Sequence, residues 1–125
     1  MTKMTIEVIF VPVTDVDRAK DFYVNKLGFI ADHDQTVKEG LRFVQLTPEG
    51  SACSIAFGEG ITEMSPGTQQ GIMMVVDDVR AVQQDLKEKG VDISDIDEQA
   101  WGTFAYFKDP DGNGWTLQEL PYKRS

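Results

Sequence analysis

The stretch Tyr106–Leu120, YFKDPDGNGWTLQEL, decides the fold because an earlier part of the chain repeats its pattern. A shift of 62 positions places Pro110 on Pro48 and Gly112 on Gly50. Each copy reads as a strand, a turn of proline, acidic residue and glycine, and then a second strand. The repeated pattern predicts a β-hairpin in each half of the chain.

The repeat continues upstream of the two hairpins. The segment VTDV at 13–16 matches VDDV at 76–79 at an offset of 63, and Gly28 matches Gly90 at an offset of 62. This change of offset predicts that the second helix is one residue shorter than the first. A period of this length is too long for a solenoid unit, so it indicates two copies of one module in a single domain. We predict module one at 1–57, a connector at 58–70 and module two at 71–125.

Each module is predicted to contain one strand, one helix and then three strands. In module one Thr14 is expected to cap the helix, with Asp17 in its first turn. In module two a strand is expected from Val91 to about Glu98. The connector has no periodicity and is longer than usual, which is typical of a crossover, a flap over a cavity or a hinge for exchanging modules.

Composition excludes several classes of protein. The chain has 125 residues and 41% apolar content, enough for one good core. With 21 acidic and 12 basic residues, its net charge of −9 disfavours nucleic acid and anionic membranes as partners. The sequence shows no signal pattern and no apolar run near the ~20 residues of a membrane span. Cys53 is the only cysteine, which is typical of a reducing compartment. We therefore expect a cytoplasmic protein.

The element order and two motifs resemble the vicinal oxygen chelate superfamily. The motifs are VTD with FY and LGF at 13–29, and FKDPDGN at 107–113. Glyoxalase I, extradiol dioxygenases, fosfomycin-resistance enzymes and bleomycin-binding proteins belong to this superfamily. The resemblance implies an α+β fold in which tandem βαβββ modules form a curved mixed sheet around a concave cavity. It does not decide the reaction, because one fold hosts several chemistries.

Metal-using members of that superfamily carry His, Glu or Gln ligands on the first and last strand of each module. The resemblance places these positions at Val8, Ser54, Gly71 and Thr116. Valine and glycine offer no side-chain lone pair, and neutral hydroxyls are weak ligands for transition metals. We therefore expect no metal site and no cofactor.

The other residues expected to line the cavity are mostly apolar. They share strand faces with Ser54 and Thr116, and Trp101 and His33 are placed near the rim. Such a cup, with a few neutral hydrogen-bonding groups, is typical of a small-molecule site. Alternatively, these side chains fill the interior of a compact sheet. The predicted ligand-binding residues are Val8, Phe10, His33, Ser54, Ala56, Gly71, Met73, Trp101, Thr116 and Gln118, with Phe43, Phe104 and Tyr106 as further aromatic candidates.

Three functions are compatible with the sequence. The first is a metal-free protein that binds a small apolar or aromatic molecule, as in the bleomycin-binding branch. The alternative is a metal-dependent lyase or dioxygenase of the glyoxalase I type, with a rearranged ligand set drawing on His33, Gln118, Glu119 or a partner subunit. The third is an interaction module with a residual cavity. No nucleophile and base pair is visible, so whether the protein is an enzyme stays open.

Two further expectations concern assembly and folding. Open sheet edges and the long connector predict a homodimer, with modules paired within one chain or exchanged between two. The turn Asp109–Asn113 contains the residues that a tight hairpin requires, so we expect a structural role for it. Trp115 and Leu117 are expected to pack in the core.

Overall fold

The computed structural model describes residues 2–122, which fold into two modules of the same element order. The first module comprises β1 (Val8–Phe10), α1 (Val16–Asp21) with a π-helical turn (Phe22–Lys26), β2 (Ile30–Lys38), β3 (Leu41–Thr47) and β4 (Ser54–Glu59). The second comprises β5 (Ile72–Val75), α2 (Val79–Glu88), β6 (Asp97–Gln99), β7 (Gly102–Lys108) and β8 (Gly114–Glu119). No helix in this part of the chain is long and apolar enough to cross a membrane.

Each module forms its own four-stranded mixed sheet. The strand orders are β1-β4-β3-β2 and β5-β8-β7-β6. In both sheets the first strand pairs in parallel with the last, and the other neighbours are antiparallel. The predicted α+β fold of tandem βαβββ modules is therefore confirmed. Because β1 and β5 each have one hydrogen-bonded neighbour, both are sheet edges.

The π-helical turn accounts for the change of offset between the two halves. The amide of Leu27 donates to the carbonyl of Phe22, five residues earlier, at 3.2 Å. A π turn holds one more residue than an α turn of the same length. The additional residue of the first helix therefore lies in this turn, which also carries Tyr23 into the core.

The two sheets share one hydrophobic core. We call the sheet faces that carry Ile55 and Phe57, and Trp115 and Leu117, the back faces, because these side chains are buried in one common cluster. The helix of module one lies between them, since the Tyr23 ring centroid is 5.8 Å from that of Phe57 and 5.7 Å from that of Trp115. The predicted core positions of Trp115 and Leu117 are confirmed.

A buried polar network joins the modules inside this core. The Tyr23 hydroxyl donates to Asp109 Oδ2 at 2.6 Å and accepts a hydrogen bond from Trp115 Nε1 at 2.9 Å. The Asn113 amide donates to Asp109 Oδ2 and to the Pro12 carbonyl, both at 2.8 Å. Burial and the adjacent Asp109 carboxylate raise the pKa of Tyr23, so its hydroxyl stays protonated. The turn Asp109–Asn113 therefore has the structural role expected of it.

Two local predictions were wrong. Asp15, not Thr14, caps α1, because its carboxylate accepts from the Arg18 amide at 3.1 Å. Thr14 instead binds Asp111 of the other module, through its hydroxyl at 2.6 Å and its amide at 3.1 Å. The strand expected from Val91 to Glu98 is reduced to β6 and a single bridge between Ile93 and Phe107. Its polar residues do not follow a strand period beyond that bridge.

Candidate ligand-binding faces

The faces opposite the shared core carry the residues predicted to bind a ligand. Neighbouring residues across a ladder project to the same side of a sheet. In the first sheet one row therefore runs from Phe10 through Ala56 and Gln45 to His33. Ser54 lies beside Val8 on the same side. We call this side, and its counterpart in the second sheet, the front faces.

The second front face combines apolar, aromatic and hydrogen-bonding residues in two rows. One row contains Met73, Thr116 and Tyr106, and the other contains Val75, Gln118, Phe104 and Asp97. The Phe104 and Tyr106 rings are nearly parallel, with centroids 6.4 Å apart. This face therefore offers a ring surface next to polar atoms.

The register corrects one detail of the repeat. Val8 lies directly opposite Ser54, but the residue opposite Thr116 is Met73 and not Gly71. Val76 of module two occupies the ladder position that Val11 occupies in module one. The segment from this position to the aspartate that caps the helix is therefore shorter in module two. Counting back from the aspartate therefore reaches a residue that precedes β5.

A concavity of about 630 Å³ opens on the second front face. Gly71 and Thr116, two of the predicted positions, contribute to its wall, and Tyr106 is 42% exposed within it. Met73, beside Thr116, is 53% exposed. The residues that line the concavity all belong to module two or to the end of the connector, and they include Gln70, Asp92, Ser94 and Lys108.

The first front face has two small residues, Ser54 and Ala56, on β4. Ser54 and Ala56 are buried, whereas Phe10 is 36% exposed. His33 is exposed on β2, in the same row as Ala56, and Trp101 is exposed at the start of the second hairpin, where Gln118 Nε2 donates to its carbonyl at 3.3 Å. The structure thus places five predicted residues on each half of the chain, in two separate groups.

The front faces of one chain do not close on each other. Both sheets turn their back faces to the common core, so their front faces point away from it. Each front face is open, and among residues 2–122 each is flanked by an edge strand, β1 or β5, with one side free of sheet partners. A cup with two walls therefore requires residues from outside this single chain.

The alternative metal ligands are not brought together. His33 lies in the first sheet, while Gln118 and Glu119 lie in the second. Glu119 Oε1 accepts from the Val79 amide at 3.0 Å, so this carboxylate binds the first turn of α2. Within residues 2–122 no three His, Cys, Asp or Glu side chains are grouped to hold a metal ion.

Two hydrogen-bond chains on the front faces were missed by sequence reasoning. In the second sheet the Tyr106 hydroxyl donates to Asp97 Oδ2 at 2.6 Å, and this bond raises the pKa of Tyr106. In the first sheet the Ser54 and Thr47 hydroxyls are 2.6 Å apart, and Thr47 donates to Asp32. Asp32 lies at a register shift between Ala31 and His33, and nothing in the strand pattern indicates this shift.

The structure defines a two-module protein with an open candidate face on each sheet. The family model described as Glyoxalase/Bleomycin resistance protein/Dioxygenase superfamily matches residues 5–117. The chain belongs to this superfamily, and the predicted resemblance is confirmed.

Two solved structures and one further protein sequence are similar over nearly the whole chain. TnmS3, an antibiotic binding protein from Streptomyces sp. CB03234, is 35% identical, with a TM-score of 0.88 over 96% of this chain and 98% of that one. A superfamily member from Sphaerobacter thermophilus is 31% identical, with a TM-score of 0.84 over 94% and 98%. The uncharacterized protein YetH of Bacillus subtilis is 27% identical over 91% of this chain and 97% of its own length.

Proposed function

We propose that this protein binds a small, largely apolar or aromatic organic molecule on its front faces and does so without a metal. The observation that carries the proposal is the residue set at the strand positions where the superfamily carries metal ligands: Val8, Ser54 and Thr116, with Met73 and not Gly71 opposite Thr116. None of these side chains is a strong ligand for a divalent metal. Around them lie aromatic rings and methionine, which suit a ligand held by shape and a few hydrogen bonds.

The description of TnmS3 as an antibiotic binding protein supports the same reading. Binding and sequestering an organic natural product requires no activated water and no proton shuttle. The front faces accordingly need to supply contact area and hydrogen bonds only. A cytoplasmic location would suit such a sequestering role.

We further propose that the functional unit is a homodimer with exchanged modules. Module one of one copy would face module two of the other, so that two half-sites form one closed cup. The open edges of β1 and β5 and the exposed apolar side chains of Phe10 and Met73 support this arrangement. Two equivalent cups per dimer follow from a two-fold axis.

Ligand titration before and after metal removal tests the metal-free site. We expect a flat aromatic compound such as acridine to bind with the same Kd before and after treatment with EDTA, measured by fluorescence. Loss of binding on treatment, with recovery on adding zinc, nickel or iron, would favour the metal-dependent alternative.

The same titration tests the location of the site. Tyr106→Ala is expected to weaken acridine binding about ten-fold, because it removes a ring contact. Tyr122→Ala is the matched control, since Tyr122 is exposed and lies after β8. Equal weakening by both substitutions would place the site elsewhere. If no compound of a broad library raises the Tm, the interaction-module hypothesis gains support.

A further inference from the structure

Hydrogen-bond direction on the second front face is set by Asp97. Its Oδ2 accepts a hydrogen bond from the Tyr106 hydroxyl at 2.6 Å, and its Oδ1 accepts one from Gln99 Nε2 at 2.8 Å. Because the phenol has one proton, the Tyr106 oxygen has only lone pairs left for a ligand. The raised pKa of Tyr106 keeps this proton in place. No lysine or arginine within the described part of the chain forms an ion pair with Asp97.

The neighbouring Ser94 hydroxyl also uses its proton within the protein. Its hydroxyl donates to the Asp95 carbonyl at 2.9 Å and accepts from the Tyr106 amide at 2.9 Å. Ser94 lines the 630 Å³ concavity together with Asp92, which adds a second carboxylate. The hydroxyl protons of both Tyr106 and Ser94 are therefore used inside the protein.

On the first front face, Asp32 sets the direction of the hydrogen bonds. Thr47 donates its single hydroxyl proton to the Asp32 carboxylate. Its oxygen is therefore the acceptor in the 2.6 Å contact with Ser54, so Ser54 must be the donor. Ser54 then has only lone pairs to offer on its remaining side. In both modules a carboxylate on the outer half of the sheet orients a hydroxyl in the same sense.

Five groups on these faces do not share this direction. Lys108 lines the concavity as a cation, and Thr116 and the exposed His33 retain donor capacity. The Gln45 and Gln118 amides donate to Glu7 and to the Trp101 carbonyl, which leaves each carbonyl oxygen and one N–H. Beside the Tyr106 ring, however, the hydrogen-bonded neighbours are the oriented Ser94 oxygen and the Asp97 carboxylate. The chain as a whole carries a charge of −9.

From this geometry we infer that the ligand is a flat aromatic molecule bearing a protonated or donor-rich nitrogen group. Its ring lies against Tyr106, and its N–H groups donate to the Tyr106 oxygen, to Asp97 and, across the cup, to Ser54. Donors directed at a carboxylate form the stronger class of hydrogen bond. This inference rests on the proposed function, since it specifies the chemistry of the same site.

Three acridines of equal ring size separate donor recognition from ring binding. They are 9-aminoacridine, a cation with N–H donors, neutral acridine above its own pKa, and the anionic acridine-9-carboxylate. Titrations at low ionic strength are expected to show 9-aminoacridine binding about ten-fold more tightly than acridine, the effect of one charge-assisted hydrogen bond. The carboxylate is expected to bind most weakly.

Asp97→Asn tests whether the Asp97 carboxylate causes the preference for 9-aminoacridine over acridine. It should reduce the advantage of 9-aminoacridine over acridine, measured as the ratio of their two Kd values, to about three-fold or less. Asp95→Asn, at an exposed aspartate two residues away, removes the same charge and should preserve the advantage. A uniform loss in both variants would mean that overall charge, and not the oriented acceptors, is responsible, which overturns the inference.

The outcomes also separate this inference from the proposed function. If all three acridines bind with similar affinity, or the anion binds best, the donor preference is wrong and the aromatic cup stands. If Tyr106→Ala has no effect on any of them, the proposed site and the inference both fail.

Discussion

Asp109→Ala is expected to lower the free energy of unfolding by about 3–5 kcal/mol, because it removes the acceptor at the centre of a buried network. Asp109 is buried and accepts from the Tyr23 hydroxyl, the Asn113 side chain and the Asn113 and Asp111 amides. Alanine leaves these donors without a partner in a medium that solvates them poorly. Urea denaturation followed by circular dichroism measures the change.

Two further variants make this measurement specific. Tyr23→Phe removes only the hydroxyl and leaves Trp115 Nε1 and Asp109 with one partner fewer, so a loss of about 1–3 kcal/mol is expected. Asp95→Ala, at an exposed position, should stay within about 0.5 kcal/mol of the wild type. If Asp109→Ala were as stable as Asp95→Ala, the network would not hold the modules together as described.

Mixing two binding-defective variants is expected to restore binding. Phe10→Asp places a charge on the first front face, and Tyr106→Asp places one on the second, so each variant alone should lose acridine binding about ten-fold or more. If cups form between exchanged modules, a mixed dimer has one cup with both changes and one cup with neither. Both positions are exposed in the single chain, which limits the cost in stability.

The number of ligand molecules bound per dimer measures the result of this mixing. After joint refolding, random pairing gives mixed dimers in half of the population, so about one quarter of the wild-type binding capacity should return. Each variant alone must retain dimer mass and the wild-type circular dichroism spectrum. A cup closed within one chain would give no recovery at any mixing ratio, because every chain would carry a damaged wall.

The duplication made the fold predictable from local residues. Proline and glycine at matching turns, and aspartates before both helices, specify strand and helix order through short-range backbone preferences. The offset change between Val13 and Gly28 located an additional residue, and the structure shows it as the π turn at Phe22–Lys26. These features depend on residues that are close in sequence.

The contacts between modules were not predictable in the same way. The bond between Tyr23 and Asp109 spans 86 positions, and apolar strand faces do not specify which sheet they meet. Alternation did place Phe10, Ala56, Met73 and Gln118 on the faces opposite the core, but Gly71 was misaligned with Thr116 because a shorter connection precedes α2. The side chains that orient Ser54 and Tyr106 come from neighbouring strands, whose register the sequence leaves open.

A crystal structure of the dimer, from protein produced in medium supplemented with zinc, nickel and iron and bound to 9-aminoacridine, tests the central claim most directly. We predict density for the ring against Tyr106, facing Phe10 of a second copy, and no metal between Met73 and Thr116 of one copy and Val8 and Ser54 of the other. A metal ion held at that place by protein side chains would contradict the proposal.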